Sequence, residues 1–169
     1  LRTESLPVLP AGSPDFRILH ISDMHMIPGQ QKKIDFMHSL AALEPDLVMN
    51  TGDNLSHVDG MGPLLEALDP LMDFPGVFVP GSNCYFAPVF KNPARYLWQP
   101  RTPQMIEEGS RVALPIERMH DAFESRGWTG LVNRYDTLNL KGLRLEFSGV
   151  DDPHLRYDEH PGFAPGAFD

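Results

Sequence analysis

Asp23 and His25 stand two residues apart, just beyond an apolar run that begins at Phe16 and includes Ile18, Leu19 and Ile21. That run reads as a buried strand. A carboxylate and an imidazole so spaced, past a strand end, can reach the same cation. Open α/β sheets bind their ligands there, at the carboxyl ends of the strands. Two more short apolar runs finish in the same way. Residues 47–50 lead into Thr51-Gly52-Asp53-Asn54, and residues 76–80 lead into Gly81-Ser82-Asn83. Taken singly, each of these residues has an ordinary reading: Asp23 and Asp53 as caps or turn formers, Asn83 as a turn former, His25 as a surface histidine. Four such residues at three successive strand ends point instead to one shared pocket.

Asp23, His25, Asp53 and Asn83 mix oxygen and nitrogen donors, which suit Mn, Fe or Zn better than a thiolate-seeking metal. Two cations about 3.5–4 Å apart need a clamp that reaches both. Asp53, from the middle strand end, is the natural bridge. Asp23 and His25 would then hold one metal, with Asn83 leaning on the other. Gly52 and Gly81 permit tight turns that aim the following side chains into the pocket.

These side chains need a scaffold, and the periodicity supplies one. Residues 32–43 place Ile34, Met37, Leu40, Ala41 and Leu43 near one helical face, and Pro45 stops the pattern. Met61, Leu64, Leu65, Leu68, Leu71 and Met72 follow helical spacing; Pro63 suits the first turn and Pro70 should end or kink the helix. Strand–helix–strand–helix–strand implies parallel strands with right-handed crossovers. Residues 115–126 return to helix, with Gly127 as the stop. Residues 135–140 and 143–150 read as two strands joined at Lys141-Gly142, a hairpin. An extended lead-in precedes all this, with a short edge strand expected at residues 6–9.

The 169 residues read as a single α/β domain with its own core. Seventeen prolines, about twice the usual ~5% share, imply long irregular connections. Residues 84–113 carry four of them among Tyr85, Phe86, Phe90, Tyr96 and Trp98 and several basic residues. So long a non-periodic stretch is either a lid or binding loop, or a loop pinned to the body by its aromatics. The net charge of −9 argues against a broad electrostatic grip on nucleic acid or anionic lipid. The lone Cys84 excludes an internal disulfide and a Cys-rich zinc site, and reads either as a buried, inert thiol or as one able to bind a soft metal or oxidise. No run of 18 apolar residues exists.

Asp23-x-His25, then Gly52-Asp53, then the turn at Gly81–Asn83 resembles the calcineurin-like metallophosphoesterases. The likeness extends from residue 16 to about residue 150, and Gly149-Val150-Asp151-Asp152-Pro153-His154 is similar to bacterial members. The resemblance implies α/β/β/α layers and a dinuclear divalent-metal site. It also implies hydrolysis of phosphomonoesters or phosphodiesters by a metal-bound hydroxide, with Asp53 and Asn83 in catalytic roles. Two departures stand out. The family's third motif is usually Gly-Asn-His followed by an acid, whereas this chain has Gly81-Ser82-Asn83-Cys84. Asn83 fills either the asparagine or the histidine position. The family's later histidine ligands, including a Gly-His-x-His turn, have no counterpart here.

The chain therefore reads as the N-terminal portion of a phosphoesterase. Its second sheet would be incomplete, with edges open to self-association. Similar bacterial sequences carry a membrane segment just upstream of the residues seen here, so a membrane-anchored parent is the expectation by resemblance. Three functions stay open: a metal-dependent phosphoesterase impaired by the missing ligands, a catalytically inactive binding or assembly module derived from that fold, or an unrelated α/β domain whose strand-end acids bind a sugar or nucleotide without metal. Of the other histidines, His20 is expected in the core, His38 between the apolar positions of its helix, and His120 in packing. His57 reads either as an ordinary loop residue or as a neighbour of bound phosphate.

Overall fold

The computed structural model describes residues 1–88 and 112–163. Four strands, β1 (Ile18–Ile21), β2 (Leu47–Asn50), β3 (Gly76–Phe78) and β4 (Thr129–Gly130), form a parallel sheet in that order. The expected parallel topology is what forms. β4 was not anticipated, because two residues are too few to show an alternation. A second, antiparallel sheet consists of β5 (Arg134–Leu140) and β6 (Leu143–Gly149). Its turn has φ of 49° at Lys141 and 77° at Gly142. Positive φ at both central residues matches the twist of the flanking strands, which is why Lys-Gly makes a hairpin here.

The helices follow the sequence pattern closely. α1 (Gln31–Ser39) tightens into a 3₁₀ turn at Leu40–Leu43, where Glu44 adopts a left-handed φ of 48° before Pro45. α2 (Met61–Leu68) carries Pro63 in its first turn and gives way to a 3₁₀ turn, Asp69–Leu71, at Pro70. Pro70 can continue the chain only where its missing N–H is not needed. A short helix, α3 (Ser82–Tyr85), follows β3, and α4 (Ile116–Ser125) ends before Gly127 at φ 86°.

The four helices of the described residues bury side chains in one cluster on one face of the parallel sheet. Ile34 and Met37, Leu64 and Leu68, Cys84, and Met119 and Phe123 meet Leu19, Ile21, Val48 and Phe78 there. Burying a side chain such as Leu64 or Leu68 fully is worth about 1.5–3 kcal/mol. Phe123 stands edge-on to Phe78, with centroids 5.2 Å apart at 80°. On the opposite face Leu47, Val77 and Leu131 pack with Leu138, Leu140 and Phe147 of the hairpin. The layers are thus helices, parallel sheet and hairpin, a mixed α/β fold. Among the described residues no helix belongs to the hairpin's side.

Two expectations need correction, the strand at residues 6–9 and the buried His20, while His57 takes the ordinary loop role. Residues 6–9 form no strand; Leu6 and Val8 are 71% and 76% exposed. Pro7 and Pro10 deprive that stretch of ladder donors. His20 is exposed rather than in the core, because β1 alternates and its Ile18/His20 face is not fully covered. Its Nε2 lies 2.8 Å from Thr51 Oγ1. His57 is exposed, and its Nδ1 accepts from the Asp59 N–H at 3.1 Å, capping a 3₁₀ turn. The expected lid or binding loop falls mostly on residues 89–111, outside the described residues; its ends meet as a bridge between Phe86 and Ala113. Among the described residues no helix is long and apolar enough to cross a membrane.

His120 packs as expected, its ring 5.1 Å from that of Phe78. Its Nε2 is buried without a hydrogen-bond partner among the described residues. Burial pushes its pKa down, against the opposing pull of Glu124, Asp151 and Asp121. With the folded pKa below the unfolded value of ~6.5, the unfolded chain binds more protons in that window. His120 therefore costs stability as pH falls below about 6.5, and none above. Replacing it with Leu should flatten the loss of stability between about pH 7 and 5, read by denaturant unfolding across that range. An acid limb as steep as in the unaltered chain would show that His120 does not drive it.

Candidate metal centre

The first two strand ends run on side by side after the sheet stops. The Asp23 N–H donates to Gly52 O, the His25 N–H to Asp53 O and the Met26 N–H to Asn54 O, at 3.0, 2.9 and 2.8 Å. Ser56 N–H returns a bond to Met26 O at 3.1 Å. Along this ladder Asp23, His25 and Asp53 all adopt left-handed φ, of 55°, 45° and 53°. Asp and His tolerate that region better than most residues. Even so, non-glycine residues there cost on the order of 1–3 kcal/mol each and cluster at functional sites.

The consequence is convergence. His25 Nε2 lies 3.8 Å from Asp23 Oδ1 and 3.9 Å from Asp53 Oδ2. One donor atom from each of the three residues falls within 4.8 Å of the others, a group able to hold a metal ion. The far side of the imidazole is occupied: His25 Nδ1 sits 2.9 Å from Ser56 Oγ. Asp23 Oδ2 accepts from Ser22 Oγ at 2.5 Å, which leaves Oδ1 on the histidine side. These donor atoms suit a divalent cation, and the ring nitrogen facing the acids is the one its neighbour leaves open.

The third strand end arrives through α3. Asn83 donates twice to Asp53, from its backbone N–H to Oδ1 and from Nδ2 to Oδ2, both at 2.9 Å. All four residues singled out from the sequence therefore meet in one place. Their approach depends on the two glycines. A Cβ on Gly52, at φ 95°, would lie 2.5 Å from Gly81 N, and one on Gly81 would lie 2.3 Å from Asp53 Oδ1.

Sequence reasoning missed several supports. Ser56 carried no visible signal beyond its place in the loop after Asp53. Tyr85 Oη donates to both oxygens of Asp151, at 2.7 and 2.6 Å, tying α3 to the segment after β6. Burial, then the Asp151 carboxylate, pushes the Tyr85 phenol well above its ordinary range. Cys84 is fully buried, as expected, and its Sγ accepts from the Asn54 backbone N–H at 3.4 Å. Burial raises its pKa, which disfavours the reactive thiolate. An open cleft of about 280 Å³ reaches the centre at Asp23 and Asp53, and Ser22, Thr51, Asp151 and Asp152 also line it.

A parallel α/β sheet with two acids and a histidine at its carboxyl edge is an arrangement able to hold a divalent metal. The chain belongs to the calcineurin-like phosphoesterase family, whose model matches residues 16–159. Membership points to metal-dependent hydrolysis of phosphate esters, and the Asp23–His25–Asp53 group is the candidate for the divalent metal such proteins typically use. No curated protein matches the chain.

The glycine contacts make a direct test possible. Gly81→Ala forces its Cβ into Asp53, and overpacking of this kind costs about 1–3 kcal/mol. Denaturant unfolding should show that loss. Wild-type stability in this variant would mean that the approach of the two loops is not tight.

Proposed function

We propose that Asp23, His25 and Asp53 bind a divalent cation, and that with Asn83 they form the centre of a phosphoesterase acting on phosphomonoesters or phosphodiesters. The carrying observation is the convergence of three donor atoms on residues held in left-handed backbone. Mn, Fe or Zn fits this donor chemistry. Bound there, a metal would polarise a phosphoryl oxygen and bring the pKa of a coordinated water toward ~7.

The chain's own residues have separate tasks. Asp23 Oδ1 and His25 Nε2 offer ligands from the first strand end, and Asp53 offers one from the second. Asn83 fixes the plane of the Asp53 carboxylate through its two hydrogen bonds. To serve as a ligand itself, Asn83 must turn its amide so that the carbonyl oxygen takes the place of Nδ2. In a site of two metals, Asp53 would be the carboxylate they share. Four carboxylates line or border the cleft, so a phosphate ester would be repelled until cations offset them.

A second reading is a binding or assembly module without turnover. It draws support from the count of donors: the Asp23–His25–Asp53 group is the single candidate among the described residues. Elemental analysis of the purified chain separates the two. Close to two equivalents of metal per protomer supports a working centre. One equivalent or less, with no hydrolysis of a generic phosphodiester, supports the inactive module, and self-association in light scattering would extend that reading to assembly.

Asp53→Asn keeps the shape and removes the charge. It should abolish metal-stimulated hydrolysis of bis(p-nitrophenyl) phosphate. Unchanged turnover in that variant would sink the assignment.

A further inference from the structure

We propose that Ser56 is a positioning residue that selects which imidazole nitrogen of His25 faces the cation. The inference rests on the metal reading above and deepens it. Ser56 Oγ and His25 Nδ1 are 2.9 Å apart, and the opposite ring nitrogen, Nε2, is the one directed at Asp23 and Asp53. A neutral imidazole carries one N–H, and a hydrogen bond at one nitrogen fixes the role of the other. The Ser56 hydroxyl can donate or accept; when its Oγ accepts from Nδ1–H, the Nε2 lone pair is left for a metal. Without an acceptor at Nδ1, the two nearby carboxylates favour the proton on Nε2, and binding must first remove it.

Ser56 is equipped for this because it cannot drift relative to His25. Its backbone N–H is bonded to Met26 O, one residue beyond His25, and Leu55 bridges Met26 in the same ladder. The hydroxyl is thus delivered by the same pair of strand-end segments that bends His25 and Asp53 into the left-handed region. The contact itself is part-buried. Hydrogen-bonding partners of ligand imidazoles are worth 10–100-fold in metal affinity when removed.

The test uses Ser56→Ala and Ser56→Thr in the full chain. Mn²⁺ or Zn²⁺ affinity is measured by calorimetry. The His25 ring ¹⁵N shifts are measured without metal near pH ~8.5, well above the ordinary imidazole range of ~6.5. The alanine variant should bind about 10–100-fold more weakly, with its His25 tautomer shifted toward the proton on Nε2. The threonine variant, which keeps the hydroxyl, should restore both readouts. A merely structural serine would leave the ring shifts unmoved, so wild-type shifts in Ser56→Ala overturn the inference. So does wild-type metal affinity in that variant. If the unaltered chain takes up neither metal, the metal reading itself fails, and that result is distinct from a change confined to the variants.

Discussion

The site depends on a hydrogen-bonded ladder that continues after its strands have ended. Between β1 and β2 the pairing is regular parallel sheet. Beyond Ile21 and Asn50 the two segments remain bonded, from Asp23–Gly52 to Met26–Asn54, while their backbones turn left-handed. In a plain strand, side chains two residues apart point to the same face but stay more than 6 Å apart, given a rise of ~3.3 Å per residue. The left-handed turns shorten that repeat and swing Asp23 and His25 toward Asp53. The bonds that remain offset the backbone strain, and glycine at 52 and 81 lets the third strand end approach without side chains in the way.

Charge makes the second constraint. Asp23, Asp53, Asp151 and Asp152 line one cleft in a chain of net charge −9. Two unit charges 4 Å apart repel by about 4 kcal/mol at an effective dielectric of 20. Gathering carboxylates in this way is costly unless hydrogen bonds or cations compensate. Hydrogen bonds compensate some of them: Asn83 satisfies Asp53, Ser22 satisfies one oxygen of Asp23, and Tyr85 with the Asp152 N–H satisfies Asp151. Asp23 is left with an exposed oxygen beside an imidazole nitrogen, and that is where a cation gains most.

Much of this was legible in the sequence because its signals are local. The strand β2, the helices around Ile34, Leu64 and Phe123, and the Lys141-Gly142 turn each follow from period or from turn chemistry. The four candidate residues were visible because each lies within a few residues of the end of an apolar run. What escaped were pairings between residues far apart in the chain. Ser56 with His25 spans 31 positions and Tyr85 with Asp151 spans 66, and neither has a spacing signature. His20 was misjudged for a related reason. Its strand was recognised, but which face of β1 lacks cover depends on where the hairpin sits.

The short helix α3 shows how three unrelated contacts act as one. Over three consecutive residues, Asn83 bonds Asp53, Cys84 accepts from Asn54, and Tyr85 bonds Asp151. Four residues of helix have little stability of their own, since nucleation is unfavourable and propagation has barely begun. α3 is therefore held by its side chains, and its orientation reports on all three. The weakest of the three is the sulfur, a poor acceptor facing the Asn54 N–H and, at 3.7 Å, its amide nitrogen. That leaves the placement of Asn83 resting mainly on Asp53 before it and Tyr85 after it. The third strand end is thus coupled both to the Asp53 carboxylate and to Asp151, which also lines the cleft, so a change at either is felt by the other.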